Sequence, residues 1–119
     1  MRALAVAVVA VAMLAGCGGN AVAQPAGSIK VVMSEFKYAP SSIEAPSGKV
    51  VFYLVNSGTT AHNLIIRDSG NRRIKSSELV SAGDSSLFTV DSIAPGTYTI
   101  FCDQQGHEAS GMKGTLTIT

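Results

Sequence analysis

From Ile29 onward the chain is written in short β-branched and aromatic runs, cut by Gly, Pro, Ser and Asn turn signals at intervals of about 8–12 residues. Helical periodicity is almost absent. Ile29–Met33, Lys49–Asn56, Ala61–Asp68, Ser85–Asp91, Thr97–Cys102 and Gly114–Thr119 read as strands. Lys49–Asn56 (KVVFYLVN) carries the strongest apolar run, which suggests a strand buried on both faces or nearly so. Within Ser85–Asp91, Phe88 and Val90 share one face and Leu87 and Thr89 the other, and in the last strand Leu116 and Ile118 point inward. Phe36, Tyr38 and Ser42–Glu44 flank Pro40 and read as an irregular edge strand, because proline is tolerated at sheet edges. Arg72–Val80 stays open between a short helix and a looping edge segment. Ser47-Gly48, Ser57-Gly58 and Ala94-Pro95-Gly96 supply turns. The pattern predicts an all-β chain, a two-sheet antiparallel sandwich of about seven to eight strands.

The first residues belong to a different kind of segment. Met1-Arg2 is a short positive start, and Ala3 to Ala15 is an unbroken apolar run. That run is shorter than the roughly 20 apolar residues a membrane-spanning helix needs, and it has the form of a secretory signal peptide. It ends in Leu14-Ala15-Gly16-Cys17, which resembles the lipobox of bacterial lipoproteins, where the cysteine is lipid-modified and becomes the first mature residue. The competing reading is an ordinary signal peptide cleaved after Ala21-Val22-Ala23. The expected organisation is therefore residues 1–16 as a lipoprotein-type signal peptide, 17–28 as a flexible tether and 29–119 as one folded domain. The expected location is the extracytoplasmic side of a bacterial membrane, anchored there by a lipid on Cys17.

Charge then narrows the function classes. Loss of Arg2 with the leader leaves eight basic against eight acidic groups, so no basic surplus exists to hold nucleic acid. With 46% apolar and 14% charged residues, the chain has the opposite balance to a disordered tail. Of the two cysteines, Cys17 lies in the leader or tether, which leaves Cys102 as a lone thiol in an exported domain. Such a thiol is a liability unless it is buried, reactive or metal-bound.

Cys102 opens the segment CDQQGHEASGM, with the spacing Cys102-x4-His107-x4-Met112. The segment joins two expected strands and so forms a loop at one end of a sandwich. The other histidine, His62, follows the turn at Asn56–Thr60 and can reach the same end. A thiolate, two imidazoles and a thioether are soft donors that select copper over hard cations. Two His and one Cys with a long axial Met make a blue-copper electron-transfer site. Zinc also accepts Cys and His, but structural zinc sites rarely use Met, which tips the choice to one copper ion. Taken singly, each residue has a plainer explanation: a surface histidine, a small buried thiol, a packing methionine. Their joint occurrence is what argues for a site.

These residues resemble the cupredoxins, the small blue copper proteins of the plastocyanin and azurin type. The resemblance covers Ile29 to Thr119. It rests on Asn56-x-Gly58-x3-His62-Asn63, on Pro95-Gly96-Thr97-Tyr98 ahead of the cysteine strand, and on Cys102-x4-His107-x4-Met112-Lys113-Gly114. It implies an eight-stranded Greek-key β-sandwich with copper at one end, His62, Cys102 and His107 as ligands, and Met112 as the axial thioether. It also implies that Asn63 ties the two ligand segments together around the cysteine sulfur. The chain departs from the common family pattern in lacking proline between Cys102 and His107, and in carrying Asp103 where Ser or Thr is frequent. An added charge and an added N–H donor beside the sulfur would favour Cu(II) and a lower reduction potential.

The function implied is a one-electron carrier and not an enzyme, since the site offers no open coordination position and no added acid or base. It would meet redox partner proteins transiently, as a monomer, through an apolar patch around His107 that takes in Gly106 and Ala109. Two rivals remain: an extracytoplasmic copper-binding or trafficking protein without a redox role, and a redox-silent interaction sandwich with Cys102 unligated. Scarcity of methionine beyond Met33 and Met112 disfavours trafficking. Arg72, Arg73 and Lys75 are either a docking patch or a solvated loop, the plainer choice.

Overall fold

A computed structural model describes residues 21–119. The signal-peptide reading of residues 1–16 and the lipid-bearing role of Cys17 fall outside them. Nine strands follow in order: β1 Ile29–Ser34, β2 Lys37–Ala39, β3 Ser42–Ala45, β4 Gly48–Asn56, β5 Ile65–Arg67, β6 Arg73–Ser76, β7 Ser85–Ile93, β8 Gly96–Phe101 and β9 Lys113–Ile118. They form two sheets in the orders β2-β1-β4-β7 and β3-β9-β8-β5-β6. The fold is the all-β sandwich that the turn spacing predicts. Its strand count is higher because the chain on either side of Pro40 makes two strands, not one edge strand: β2 joins the first sheet and β3 the second.

The wholly antiparallel expectation needs correction. β1 runs parallel to β4, in the register Ile29↔Phe52 through Met33↔Asn56, and β3 runs parallel to β9. Each parallel pair arises because a strand crosses between sheets before returning, so its neighbour is not its sequence neighbour. The consequence for function is positional. The C-terminal ends of β1 and β4 lie side by side, and the residues that follow both strands share one end of the sandwich.

β4 is also not buried on both faces. Val50, Phe52, Leu54 and Asn56 are buried, while Val51, Tyr53 and Val55 are half-exposed. Two layers give each sheet a single core face, and the apolar residues on the outer face are covered only by their neighbours. The core side carries Phe52 stacked on its register partner Phe88, with ring centroids 5.7 Å apart. Around this pair pack Val31, Met33, Leu54, Leu64, Ile66, Val90, Ile100, Leu116 and Ile118.

The segment expected as one strand from Ala61 to Asp68 is strand only at Ile65–Arg67, and His62 instead makes an isolated bridge with Val80. The open segment 72–80 holds β6, an exposed edge strand, rather than a helix. Residues 21–28 are mostly exposed and carry no strand, with the Val22 amide donating to Ser85 Oγ at 2.8 Å.

Candidate metal centre

His62, Cys102, His107 and Met112 all come from connections at one end of the sandwich: after β4, after β8, within the β8–β9 loop and just before β9. The approach to His62 is built by Asn56, the last residue of β4. It is a buried amide that ties the turn to a distant segment: Nδ2 donates to the Thr60 and Val80 carbonyls at 2.8 and 2.9 Å, and Oδ1 accepts from the Gly58 amide at 2.9 Å. This ties down the turn 57–60. His62 is then fixed by its own main chain, donating to Val80 O at 3.1 Å and accepting from Val80 N at 2.8 Å.

The second segment is a loop closed largely on itself. Cys102 N donates to Met112 O at 3.2 Å, His107 N to Gln104 O at 3.0 Å, and Met112 N to His107 O at 3.0 Å. Such a loop needs little from the rest of the molecule to hold its shape. Thr115 N, one residue into β9 beyond Gly114, bonds Ser41 O at 2.8 Å. At Gly114 itself a Cβ would overlap that same carbonyl, so only glycine admits the close approach of β3 to β9 here.

The side chains of His62, Cys102 and His107 converge, with one ligand atom from each lying within 4.8 Å of the others. His62 Nδ1 is 3.2 Å from His107 Nδ1, and Cys102 Sγ is 3.5 Å from the same nitrogen. His62 and Cys102 are fully buried, and His107 is half-exposed. These separations suit a soft ion. Bond lengths of about 2.0–2.1 Å to imidazole and about 2.3 Å to thiolate, taken in a trigonal plane, put nitrogen about 3.6 Å from nitrogen and about 3.8 Å from sulfur. The donors stand a few tenths of an ångström inside those values. Burial pulls the His62 pKa below its ordinary value, against the opposing hydrogen bond to the Glu35 carboxylate, and so favours the neutral ring. A neutral imidazole is the form that ligates. Met112 is fully buried, with its main chain bonded to both Cys102 and His107.

A family model described as a cupredoxin-like domain matches residues 4–118. The chain belongs to the cupredoxin-like family. Auracyanin-B of Chloroflexus aurantiacus is 49% identical over 41 residues, 34% of this cupredoxin-like chain and only 17% of that protein's length. Among solved structures, auracyanin B superposes with a TM-score of 0.71 at 26% identity, covering 86% of this chain and 96% of that one. A fern plastocyanin mutant superposes with a TM-score of 0.58 at 30% identity, covering 76% and 99%. Reduced auracyanin from Roseiflexus castenholzii shares the fold with a TM-score of 0.70 at 22% identity over 81% of this chain and 99% of that one. In this cupredoxin fold His62, Cys102 and His107 make a candidate mononuclear copper site, and one ion accounts for the cluster.

Residues around the cluster complete its frame. Asn63 Nδ2 donates to Asp103 Oδ1 at 2.7 Å and the Asp103 amide donates to Asn63 Oδ1 at 3.1 Å, a reciprocal pair joining the two ligand segments. The Asp103 amide is thus directed at Asn63 and not at sulfur. The Asp103 carboxylate also accepts from Arg73 Nη1 at 3.0 Å, and the Asn63 and Arg73 contacts hold its pKa below the ordinary value. Its charge is therefore partly balanced, which weakens the case for a low potential drawn from that charge.

Sequence reasoning missed the part that five residues play around the cluster. Glu35 Oε1 lies 3.2 Å from His62 Nε2. Tyr38 donates its hydroxyl to Asn63 O at 2.7 Å, and burial pushes its pKa above the ordinary phenol value. Phe36, 40% exposed, packs edge-on to the His107 ring at 5.0 Å. Arg67 and Arg73 both lie over the Phe101 ring, at 4.4 and 5.4 Å, while pairing with Glu108 and Asp103 of the loop. Of the basic residues singled out in the sequence, Arg72 pairs with Asp68 and Arg73 with Asp103, which argues against a free docking patch there.

Proposed function

We propose that the protein is a one-electron carrier built on a single type 1 copper site. His62, Cys102 and His107 would hold the ion as its three strong ligands, and the buried Met112 would supply the thioether. The observation that carries this is the convergence of three buried or half-buried soft donors within 4.8 Å of one another. An ion held there supplies a one-electron Cu(II)/Cu(I) couple. The chain's own contribution is rigidity. Asn56 fixes the first ligand's turn, the Asn63–Asp103 pair holds the two segments in register, and the loop 102–112 is braced by its internal hydrogen bonds. Ligands already in place for both oxidation states need little rearrangement on electron transfer. The fern plastocyanin relative, solved in oxidised and reduced forms, supports a redox reading over mere metal storage. His107, half-exposed beside Phe36, Gly106 and Ala109, is the exit for the electron, and the contact with redox partners there is small and transient. The chain acts as a monomer, exported by residues 1–16 and held to the outer side of the membrane by a lipid on Cys17.

Addition of Cu(II) to the purified protein is the test. An intense blue thiolate-to-copper band is expected. Tight binding without that band would replace electron transfer by copper trafficking, and absence of binding would overturn the reading. For the anchor, mass spectrometry of the membrane fraction is expected to show a lipid on Cys17, and Cys17→Ser is expected to release the protein.

A further inference from the structure

Glu35 lies outside every motif that the sequence offers, yet among the described residues it is the hydrogen-bond partner of the outer nitrogen of the buried histidine, His62. Its oxygen Oε1 accepts from the Thr59 amide at 2.8 Å, the Thr60 amide at 2.8 Å and the Thr60 hydroxyl at 3.0 Å. Gly58 makes the room for it: a Cβ at that position would stand 2.6 Å from the same oxygen. The turn 58–60 is thus a seat for one carboxylate, built from backbone donors and a missing side chain. The seated oxygen lies 3.2 Å from His62 Nε2.

We propose that Glu35 is the positioning residue of His62: its seated carboxylate accepts a hydrogen bond from Nε2–H, which holds the ring's proton there and leaves Nδ1 as a lone pair facing Cys102 and His107. A carboxylate oxygen already surrounded by the amides and hydroxyls of Thr59 and Thr60 has only acceptor capacity, so the hydrogen in the contact belongs to the imidazole. The neutral ring has one proton, and its place on Nε2 empties Nδ1. The 3.2 Å contact between the two Nδ1 atoms cannot settle the tautomer by itself, because either ring can donate across it. Glu35 settles it, and His107 is then the donor in the metal-free protein. A carboxylate behind a ligating histidine fixes the ring's orientation and raises its basicity. The tautomer is a property of the metal-free chain. Its consequence for copper rests on the function proposed above.

The test reads both. Two-bond 1H–15N NMR on the metal-free full chain assigns the His62 tautomer in wild type, E35Q and E35L, with amide dispersion as the control for folding. E35Q retains an oxygen acceptor and E35L has none. Wild type and E35Q are expected to hold the proton on Nε2, and E35L to populate the Nδ1–H form. The Cu(II) Kd is expected to rise about 10–100-fold in E35L. A wild-type His62 carrying its proton on Nδ1, or a folded E35L with unchanged tautomer and unchanged Kd, would overturn the proposal. Should E35L fail to fold, the proposal stands only if wild type and E35Q both show Nε2–H. Loss of the blue band with Nε2–H intact in wild type would sink the copper reading and leave the role of Glu35 standing.

Discussion

The two segments that bring ligands to the site are held in opposite ways. His62 is fixed from a distance: by Val80 through a main-chain bridge, by Asn56 through the preceding turn, and by Glu35, which lies 27 residues earlier in the chain. The loop from Cys102 to Met112 is fixed mainly by itself, through hydrogen bonds spanning a few residues. The first histidine is sealed inside the sandwich, and the second stands at its surface. One side of the site is therefore a product of the whole fold and the other is a compact local unit. Damage to the two should differ in kind.

The largest expected effects fall on the ligands. Cys102→Ser should abolish the blue band outright. His107→Gly should open a surface gap that added imidazole fills, restoring colour, whereas His62→Gly should leave a sealed cavity that imidazole does not enter. Equal rescue of both variants, read by visible absorption, would break the contrast between a buried and an exposed ligand.

Next comes the seat of Glu35. Gly58→Ala pushes a methyl group into the carboxylate and should destabilise the metal-free protein by about 1–3 kcal/mol. For a domain of this size that lowers Tm by about 4–8 °C per kcal/mol. A calorimetric Tm within a degree of wild type would show that the turn yields. Tyr38→Phe strips the Asn63 carbonyl of its donor and should cost about 1 kcal/mol by chemical denaturation. Arg73→Ala, on a partly exposed ion pair, should cost less than about 1 kcal/mol.

The Glu35 contacts also give a pH signature. Amides of Thr60 and Thr59 hold its carboxyl down from 4.5 to about 2. In that window the unfolded chain binds the proton that the folded chain refuses. Its stabilising effect is therefore complete above pH 4.5 and fades as pH falls toward about 2. Tm measured across this range on the metal-free protein should fall less steeply for Glu35→Gln than for wild type. Parallel curves would separate Glu35 from acid stability.

The same contrast governs what could be read from the sequence. Alternation in Ser85–Asp91 and in the last strand was legible, because a period of two needs no partner to be seen. The spacing from Cys102 to Met112 was legible because the loop's geometry is local. Glu35 was not. An antiparallel partner would place the end of β1 at the start of β4, at the far end from the site. Parallel pairing of Met33 with Asn56 instead sets Glu35 beside the turn that leads to His62. No local pattern in Ile29–Ser34 distinguishes the two directions. The same blindness hid Tyr38, whose hydroxyl reaches Asn63 only because β2 folds back on β1. Pro40 was recognised as a break, but which sheet each flanking piece joins depends on strands far along the chain.

The two arginines over Phe101 have one more consequence. Asp103 and Glu108, the carboxylates flanking His107, each already face a guanidinium from the β5–β6 hairpin. A protein approaching that rim meets little unbalanced field, so recognition there falls to shape and to the exposed ring of Phe36. Electron exchange through His107 should accordingly proceed at nearly the same rate in dilute buffer as in strong salt.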